Sequence, residues 1–330
     1  MKQINQNSVL VRVPASTANL GPGFDTLGMA LSLYAWLEIS VADTTTFEFY
    51  GEGNEELPKD KSNLIYKVAQ MVFLEAGVAV PDLHIKFYSD IPLTRGLGSS
   101  ATAIIAALIA ANALIDSPLS DNRLFQIATA LEGHPDNVGA SMFGGIVVAA
   151  WDGEKAEYVK LTPPSQLTTL VVIPEFHLAT EKARQVIPDE LEMADAVFNV
   201  GRSSLLVAAL ATGQLQLLAH AMQDRLHQPY RTPLIPGMSH ILEQSVQHGA
   251  LGVALSGAGP TIITFVDRDL AATSKNQLER FLLETLSEQN ITASTHWLDP
   301  CNNGSVVMKQ AVSESLQLPF LDRIKGEINV

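Results

Sequence analysis

One segment restricts the fold more than any other. Gly96-Leu97-Gly98-Ser99-Ser100 opens directly into residues 101–115, a run rich in alanine and apolar on all sides. Such a run reads as a helix buried all round, and it needs neighbouring layers to bury it. The glycines let backbone N–H groups come close to a ligand. The start of the helix adds unpaired N–H groups and a positive dipole end. Together these suit a phosphate, and the plainer alternative is a tight turn that lets the helix pack. Ser99 and Ser100 bring hydroxyls able to hold phosphate oxygens or a magnesium ion. The turn is not a P-loop, because no lysine follows Gly98. A dinucleotide fingerprint is formally met by Gly96, Gly98 and Ala101, with Asp116 further on. But residues 92–95 separate the turn from the preceding strand, and Asp116 ends a helix rather than a strand.

A chain of 330 residues suits about two domains. With 47% hydrophobic and 17% charged residues it can bury a large core. The net charge of −14 argues against nucleic acid and anionic membrane as partners, while leaving room for a local basic pocket. Cys301 is the single cysteine, so neither an intramolecular disulfide nor a multi-cysteine metal site is possible. Residues 1–7 are polar and lack the apolar core of a signal peptide. The run at 101–115 is shorter than the roughly 20 residues that span a bilayer. A soluble cytoplasmic protein is expected.

Period-two alternation predicts strands at 8–13, 33–41, 45–50 and around Leu83, Ile85 and Phe87. Helical spacing predicts 62–76, with Ser62 as N-cap and Gly77 as C-cap, and 121–132. A strand is expected at 145–150. Beyond Pro163-Pro164-Ser165, the best boundary, the pattern runs strand (167–173), helices (191–212, 237–248), two strands (251–255, 261–266), helix (272–288) and strand (291–297). That is a ferredoxin-like order. The turn Ser256-Gly257-Ala258-Gly259-Pro260 between the paired strands reads by itself as a hairpin connection.

The segment Pro14-Ala15-Ser16-Thr17-Ala18-Asn19-Leu20-Gly21-Pro22-Gly23-Phe24-Asp25 is denser in small and polar residues than a solvated loop requires. Asn19 and Asp25 offer polar groups to a ligand, or to the local backbone. Pro92-Leu93-Thr94-Arg95-Gly96-Leu97-Gly98-Ser99-Ser100-Ala101 resembles the phosphate motif of the GHMP-type kinases, and Leu255–Thr261 their third motif. Pro14–Asp25 and Glu132-Gly133-His134-Pro135-Asp136-Asn137-Val138 are similar to the homoserine kinase branch of that superfamily. The resemblance spans about residues 8 to 307, with Ser16-Thr17 inverting the more usual order. The tail after Met308 runs past the usual family end.

The resemblance implies a two-domain α+β fold. A ribosomal-protein-like N-terminal domain (1–163) would carry the phosphate loop, and a ferredoxin-like domain (164–330) would follow. It implies ATP-dependent phosphorylation of L-homoserine to O-phospho-L-homoserine, on the route to threonine, by an enzyme that is commonly a homodimer. ATP would lie against Pro92, Leu93, Thr94, Arg95, Gly96, Leu97, Gly98, Ser99, Ser100, Ala101 and Thr102, with Asn63 near the adenine. Asn63 is equally explained by helix-end polarity. Ser100 and Glu132 would hold Mg²⁺. Arg184 and Arg231 match substrate-carboxylate positions, Asp25 could pair the ammonium, and Asn19, Asp136 and Asn137 could orient the hydroxyl. His134, Gly257 and Gly259 fall at the same site. No clear general base is evident. Rival readings are another small-molecule kinase, a ligand sensor on the same scaffold, and a dehydrogenase.

Overall fold

Two long antiparallel strands frame the first half of the chain. Val9, Val11 and Val13 point to one face of β1 (Ser8–Ala18), which pairs with β2 (Leu27–Ala42) along its whole length. The register slips between Pro14 and Ala15, where proline has no N–H to give to the ladder. The computed structural model describes residues 8–51, 53–308 and 319–328. The polar start at 1–7 and residues 309–318 of the tail lie outside them.

After β2 come β3 (Thr46–Tyr50), α1 (Leu64–Glu75), β4 (Asp82–Ser89), α2 (Ser99–Leu114), α3 (Asp121–Glu132), α4 (Asp136–Phe143), β5 (Ile146–Trp151) and β6 (Ala156–Leu161). The second half runs β7 (Leu167–Pro174), α5 (Thr180–Gln185), α6 (Met193–Thr212), α7 (Leu218–Ala221), α8 (Gln228–Arg231), α9 (Met238–Gln244), β8 (Gly252–Leu255), β9 (Ile262–Asp267), α10 (Ala272–Ser287) and β10 (Ala293–Leu298). β11 (Val306–Met308) and α11 (Phe320–Ile328) close the chain.

The first sheet has the order β11-β1-β2-β4-β3, and β5 joins the start of β2 and carries β6. The second has the order β10-β7-β9-β8, all antiparallel, which is the ferredoxin-like arrangement expected from the sequence. The passage from one sheet to the other falls between Leu161 and Leu167, and β11 then returns to the edge of the first sheet beside β1. α11 lies on that sheet too: Phe320 and Ile324 cover Leu10 and Trp36.

α2 is the axis of the first core. Twelve of its sixteen residues are buried, which explains why its sequence shows no polar face. The dinucleotide alternative fails here: β4 ends ten residues before α2 begins and runs antiparallel to β2.

Several elements depart from the sequence expectation. β2 starts at Leu27, six residues early, because Leu27–Leu31 are buried on both faces and cannot alternate. α1 is capped by Asn63, whose Oδ1 accepts from Ile65 N, rather than by Ser62. β6 was hidden by its exposure. The 237–248 helix breaks into α9 and a 3-10 turn. α6, by length and composition, is the one described helix able to cross a bilayer, yet its Asp195 and Asn199 are tied to the segment before α8.

Gly28 on β2 has a local reason. A Cβ there would sit 2.1 Å from the carbonyl oxygen of Asp136. Its absence lets the start of α4 press onto the sheet, which sets the depth of Asp136.

Candidate functional site

Three motifs far apart in sequence interlock at one place. Ser256 Oγ donates to the Gly96 carbonyl (2.6 Å) and pairs with Thr17 Oγ1 (2.9 Å). Asn19 Nδ2 donates to the Gly257 carbonyl at 2.9 Å, and Gly257 N to the Ala18 carbonyl at 3.1 Å. The end of β1, the glycine turn before α2 and the turn after β8 thereby become the floor of a cavity of about 470 Å³.

One end of the cavity suits phosphate. Gly96 and Gly98 both have positive φ. Gly98 is needed twice over, since a Cβ there would lie 2.1 Å from Ser16 Oγ. No described side chain caps α2, so its first N–H groups remain available at the cavity wall, where Ser99 and Ser100 stand. Ser100 Oγ lies 3.1 Å from Glu132 Oε2, across the gap between α2 and the end of α3. Burial pushes the Glu132 carboxyl above its ordinary pKa, against the pull of His134 and Ser100. A hydroxyl and a carboxylate side by side, at a helix N-terminus, fit a hard divalent cation.

The other end carries charge of both signs. Arg184 on α5 makes a bidentate pair with Asp25, at 2.7 and 2.9 Å. His134 Nδ1 lies 2.5 Å from Asp136 Oδ1. Burial works to lower the pKa of His134, but Asp136, with Asp25 and Glu132, overrides it and raises it to about 9. Asp25, His134 and Asp136 bring their ligand atoms within 4.8 Å of one another, the spacing of a metal site. Their charges already answer one another and Arg184, so the cluster stands without an ion. Asn137 Oδ1 accepts from Ser16 Oγ at 2.9 Å.

Arg231 is different. It is 1% exposed, and among the described residues its guanidinium donates only to the carbonyls of Ala183 and Gly257 and to the ring of His227. Among the described residues no carboxylate pairs with it. Burial, reinforced by Arg184, lowers its pKa to about 10, so it stays a cation near neutral pH. The centre of the Phe24 ring lies 5.4 Å from the guanidinium carbon of each arginine.

Not every residue expected at the site lines the cavity. Leu93, Thr94, Arg95, Gly96, Gly98, Ser99, Ser100, Asn19, Asp25, Glu132, His134, Asp136, Asn137, Arg184, Arg231 and Gly257 do. Pro92, Leu97, Ala101, Thr102 and Gly259 do not. Leu97 and Ala101 face the core, and Thr102 Oγ1 donates back to the Gly98 carbonyl. Gly259 packs against Ile235 and Leu255. Asn63 reaches the wall, but its amide is engaged as the cap of α1 and with the Pro58 carbonyl at 2.8 Å, so the capping explanation accounts for it. The sequence reading missed Thr180 and the apolar wall of Leu57, Pro58, Ile65 and Phe87. Thr180 stands four residues before Arg184, at the first turn of α5, which is a signal of position but not of role.

The His134–Asp136 pair gives a test in the protein free of nucleotide and metal. Its folded pKa, about 9, lies above the ordinary 6.5. The pair's stabilisation is therefore complete below about pH 6.5 and is lost as pH rises through about 9. The melting temperature should fall more between those limits in the native protein than in His134→Asn. Parallel melting curves would remove this assignment.

The comparisons agree with this geometry. Residues 63–145 match the family described as GHMP kinases N terminal domain, and residues 206–283 match GHMP kinases C terminal. The chain is 43% identical over 299 residues to the homoserine kinase of Moorella thermoacetica, covering 91% of this chain and 99% of that one. It is 46% identical over 258 residues to the homoserine kinase of Deinococcus radiodurans, covering 78% and 84%. A homoserine kinase crystal structure from Cytophaga hutchinsonii superposes with a TM-score of 0.81 at 26% identity, covering 93% of this chain and 99% of that one. Two domain matches in order, and curated relatives aligned along nearly their whole length, lead to one conclusion: the chain belongs to the homoserine kinase family of the GHMP kinases.

Proposed function

We propose that this protein transfers the γ-phosphoryl group of ATP to the side-chain hydroxyl of L-homoserine, giving O-phospho-L-homoserine for threonine synthesis. The observation that carries the substrate is Arg231. A buried guanidinium without a carboxylate is costly unless an anion completes it, and it opens on the same cavity as the start of α2. An amino-acid carboxylate supplies that anion with two parallel hydrogen bonds. The ammonium of the same molecule turns toward Asp25. A zwitterion brings one charge of each sign, so the balance at this end is kept.

Phosphoryl transfer asks mainly for positioning and charge stabilisation. The turn at 96–98 and the open N–H groups of α2 hold the ATP phosphates. Ser100 and Glu132 would hold Mg²⁺, which when bound neutralises charge on the phosphate oxygens. Asp136 and Asn137 orient the hydroxyl. His134 pairs with Asp136 and fixes its carboxylate in place, and with a loose transition state the hydroxyl proton leaves late, so Asp136 need not act as a strong base. The division at residues 163/164 and a homodimer belong to the same reading. The change of sheet after β6 supports the first, and the exposed Met193, Val197 and Val200 on α6 support the second.

ADP release with ATP and Mg²⁺ should be driven by L-homoserine well above L-serine, L-threonine, mevalonate, galactose and shikimate. Turnover with another alcohol would keep the kinase and discard this substrate. Binding of ATP with no turnover on any of them would reject catalysis.

A further inference from the structure

Behind the cavity wall, Arg231 is held by an arrangement that the sequence motifs do not include. The segment leading into α8 is pinned by Asp224. Its carboxylate accepts from the backbone N–H groups of Leu226, His227 and Gln228, at 2.9, 3.0 and 2.7 Å, and from Asn199 Nδ2 of α6 at 2.7 Å. Four donors saturate it. The His227 ring that follows is wholly buried. Its Nε2 lies 2.8 Å from the carbonyl oxygen of Gly21, and its Nδ1 lies 3.1 Å from Nη1 of Arg231.

These partners fix the chemistry of the ring. A carbonyl only accepts, so Nε2 carries the proton. A guanidinium only donates, so Nδ1 carries none. The imidazole is neutral, and burial acts in the same direction, lowering its pKa despite Asp224. The charged groups that face it are Asp224, at 3.6 Å from Nε2, and Arg231, with Asp25 acting from further off. The ring also stacks on Phe24, with centroids 5.2 Å apart and planes 29° apart.

We infer that His227 is a positioning residue that aims Arg231 into the cavity and joins it to the Gly21–Phe24 loop on the opposite side. The inference rests on the reading of Arg231 as the holder of the substrate carboxylate. The choice of imidazole follows from that role. A carboxylate at this place would pair with Arg231 and cancel the charge that the substrate needs. An apolar side chain would leave Nη1 with Gly257 alone. A neutral acceptor orients the guanidinium and leaves its charge free for a ligand.

Two substitutions in the full-length enzyme separate the two hydrogen bonds. The amide of His227→Asn reaches the place of Nδ1 and keeps an acceptor for Arg231. That of His227→Gln reaches the place of Nε2, keeping the donor to Gly21 and losing the acceptor. His227→Gln should raise the KM for homoserine about ten-fold or more, as expected when a buried charged donor loses its acceptor, with the KM for ATP within about two-fold of native. His227→Asn should hold the homoserine KM within about three-fold of native, since the acceptor is restored. Equal effects of the two, a parallel rise in the KM for ATP, no effect of either, or failure of both to fold would overturn the assignment and leave His227 a packing residue. A native enzyme without homoserine-dependent turnover would instead remove the functional reading and this inference with it. That outcome is distinct from a native enzyme that works while His227→Gln keeps its KM.

Discussion

The Arg231→Met enzyme should lose about 10²- to 10³-fold in kcat/KM for homoserine while its KM for ATP hardly moves, because truncating one partner of a buried charge pair costs about 3–4 kcal/mol. The size follows from the environment. Arg231 is 1% exposed and among the described residues its donors meet only two carbonyls and a neutral ring, while Asp25, Asp224 and Asp136 act on it from beyond contact, so the substrate carboxylate is the one full negative charge it would touch. Water does little to weaken that attraction at such depth. Arg184 is a weaker lever: its side chain is 38% exposed and already answered by Asp25. Arg231→Lys should recover only part of the loss, since a single ammonium cannot serve the Ala183 and Gly257 carbonyls and grip a carboxylate in parallel. Removing a buried cation that no described carboxylate touches also relieves the free protein of its desolvation cost, so the melting temperature of Arg231→Met should hold or rise as activity falls. Steady-state rates against homoserine at saturating ATP decide the matter. A kcat/KM within about three-fold of native would place the carboxylate elsewhere.

The legibility of this chain followed how much of each element's reason lay within the element. α2 was readable because Gly96 and Gly98 stand next to a run without a polar face, and both facts survive without knowledge of any neighbour. The second sheet was readable because its strands and helices are separated by clear turns, and its order matches the observed β10-β7-β9-β8. The start of β2 was not, because burial on both faces erased the alternation. α4 was not either: Gly139 and Ser141 interrupt its apolar period, and its helix is set by packing on β1 and β2 rather than by propensity. At the site, Asp25 and Arg184 are separated by 159 positions and Ser16 and Asn137 by 121, so no spacing rule could pair them. His227 lies outside every motif, and its role exists only because Gly21 and Arg231 approach it from opposite sides. Asn63 shows the reverse case. A position offered to the nucleotide also serves as a helix cap.

Glu132→Gln should lower kcat by about 10²- to 10³-fold and raise the Mg²⁺ concentration needed for half-maximal rate, since a cation that neutralises phosphate charge in the transition state contributes several kcal/mol. The substitution keeps shape and hydrogen bonding to Ser100 but removes the charge, so a change in packing is not the cause. The structure gives the reason for the ranking of the two proposed ligands. Ser100 is exposed at the mouth of α2, and water can stand in for its hydroxyl at little loss. Ser100→Ala should therefore cost less, about ten-fold, as expected for one neutral ligand among several. Glu132 has no such substitute. It ends α3 at the rim of the cavity, and Asp136, a carboxylate whose charge acts on it, is committed to His134. The same burial that raises its pKa without a cation makes it a strong partner for one, because a desolvated carboxylate gains more from a divalent ion than a hydrated one does. The two effects point in one direction. In Glu132→Gln the homoserine KM should stay near native, because Arg231 and Asp25 are untouched. A Mg²⁺ titration of kcat for native, Ser100→Ala and Glu132→Gln enzymes tests the ranking directly. Superimposable titrations would show that the cation is held by other groups, and a rise in the homoserine KM alone would assign Glu132 to the substrate rather than to the metal.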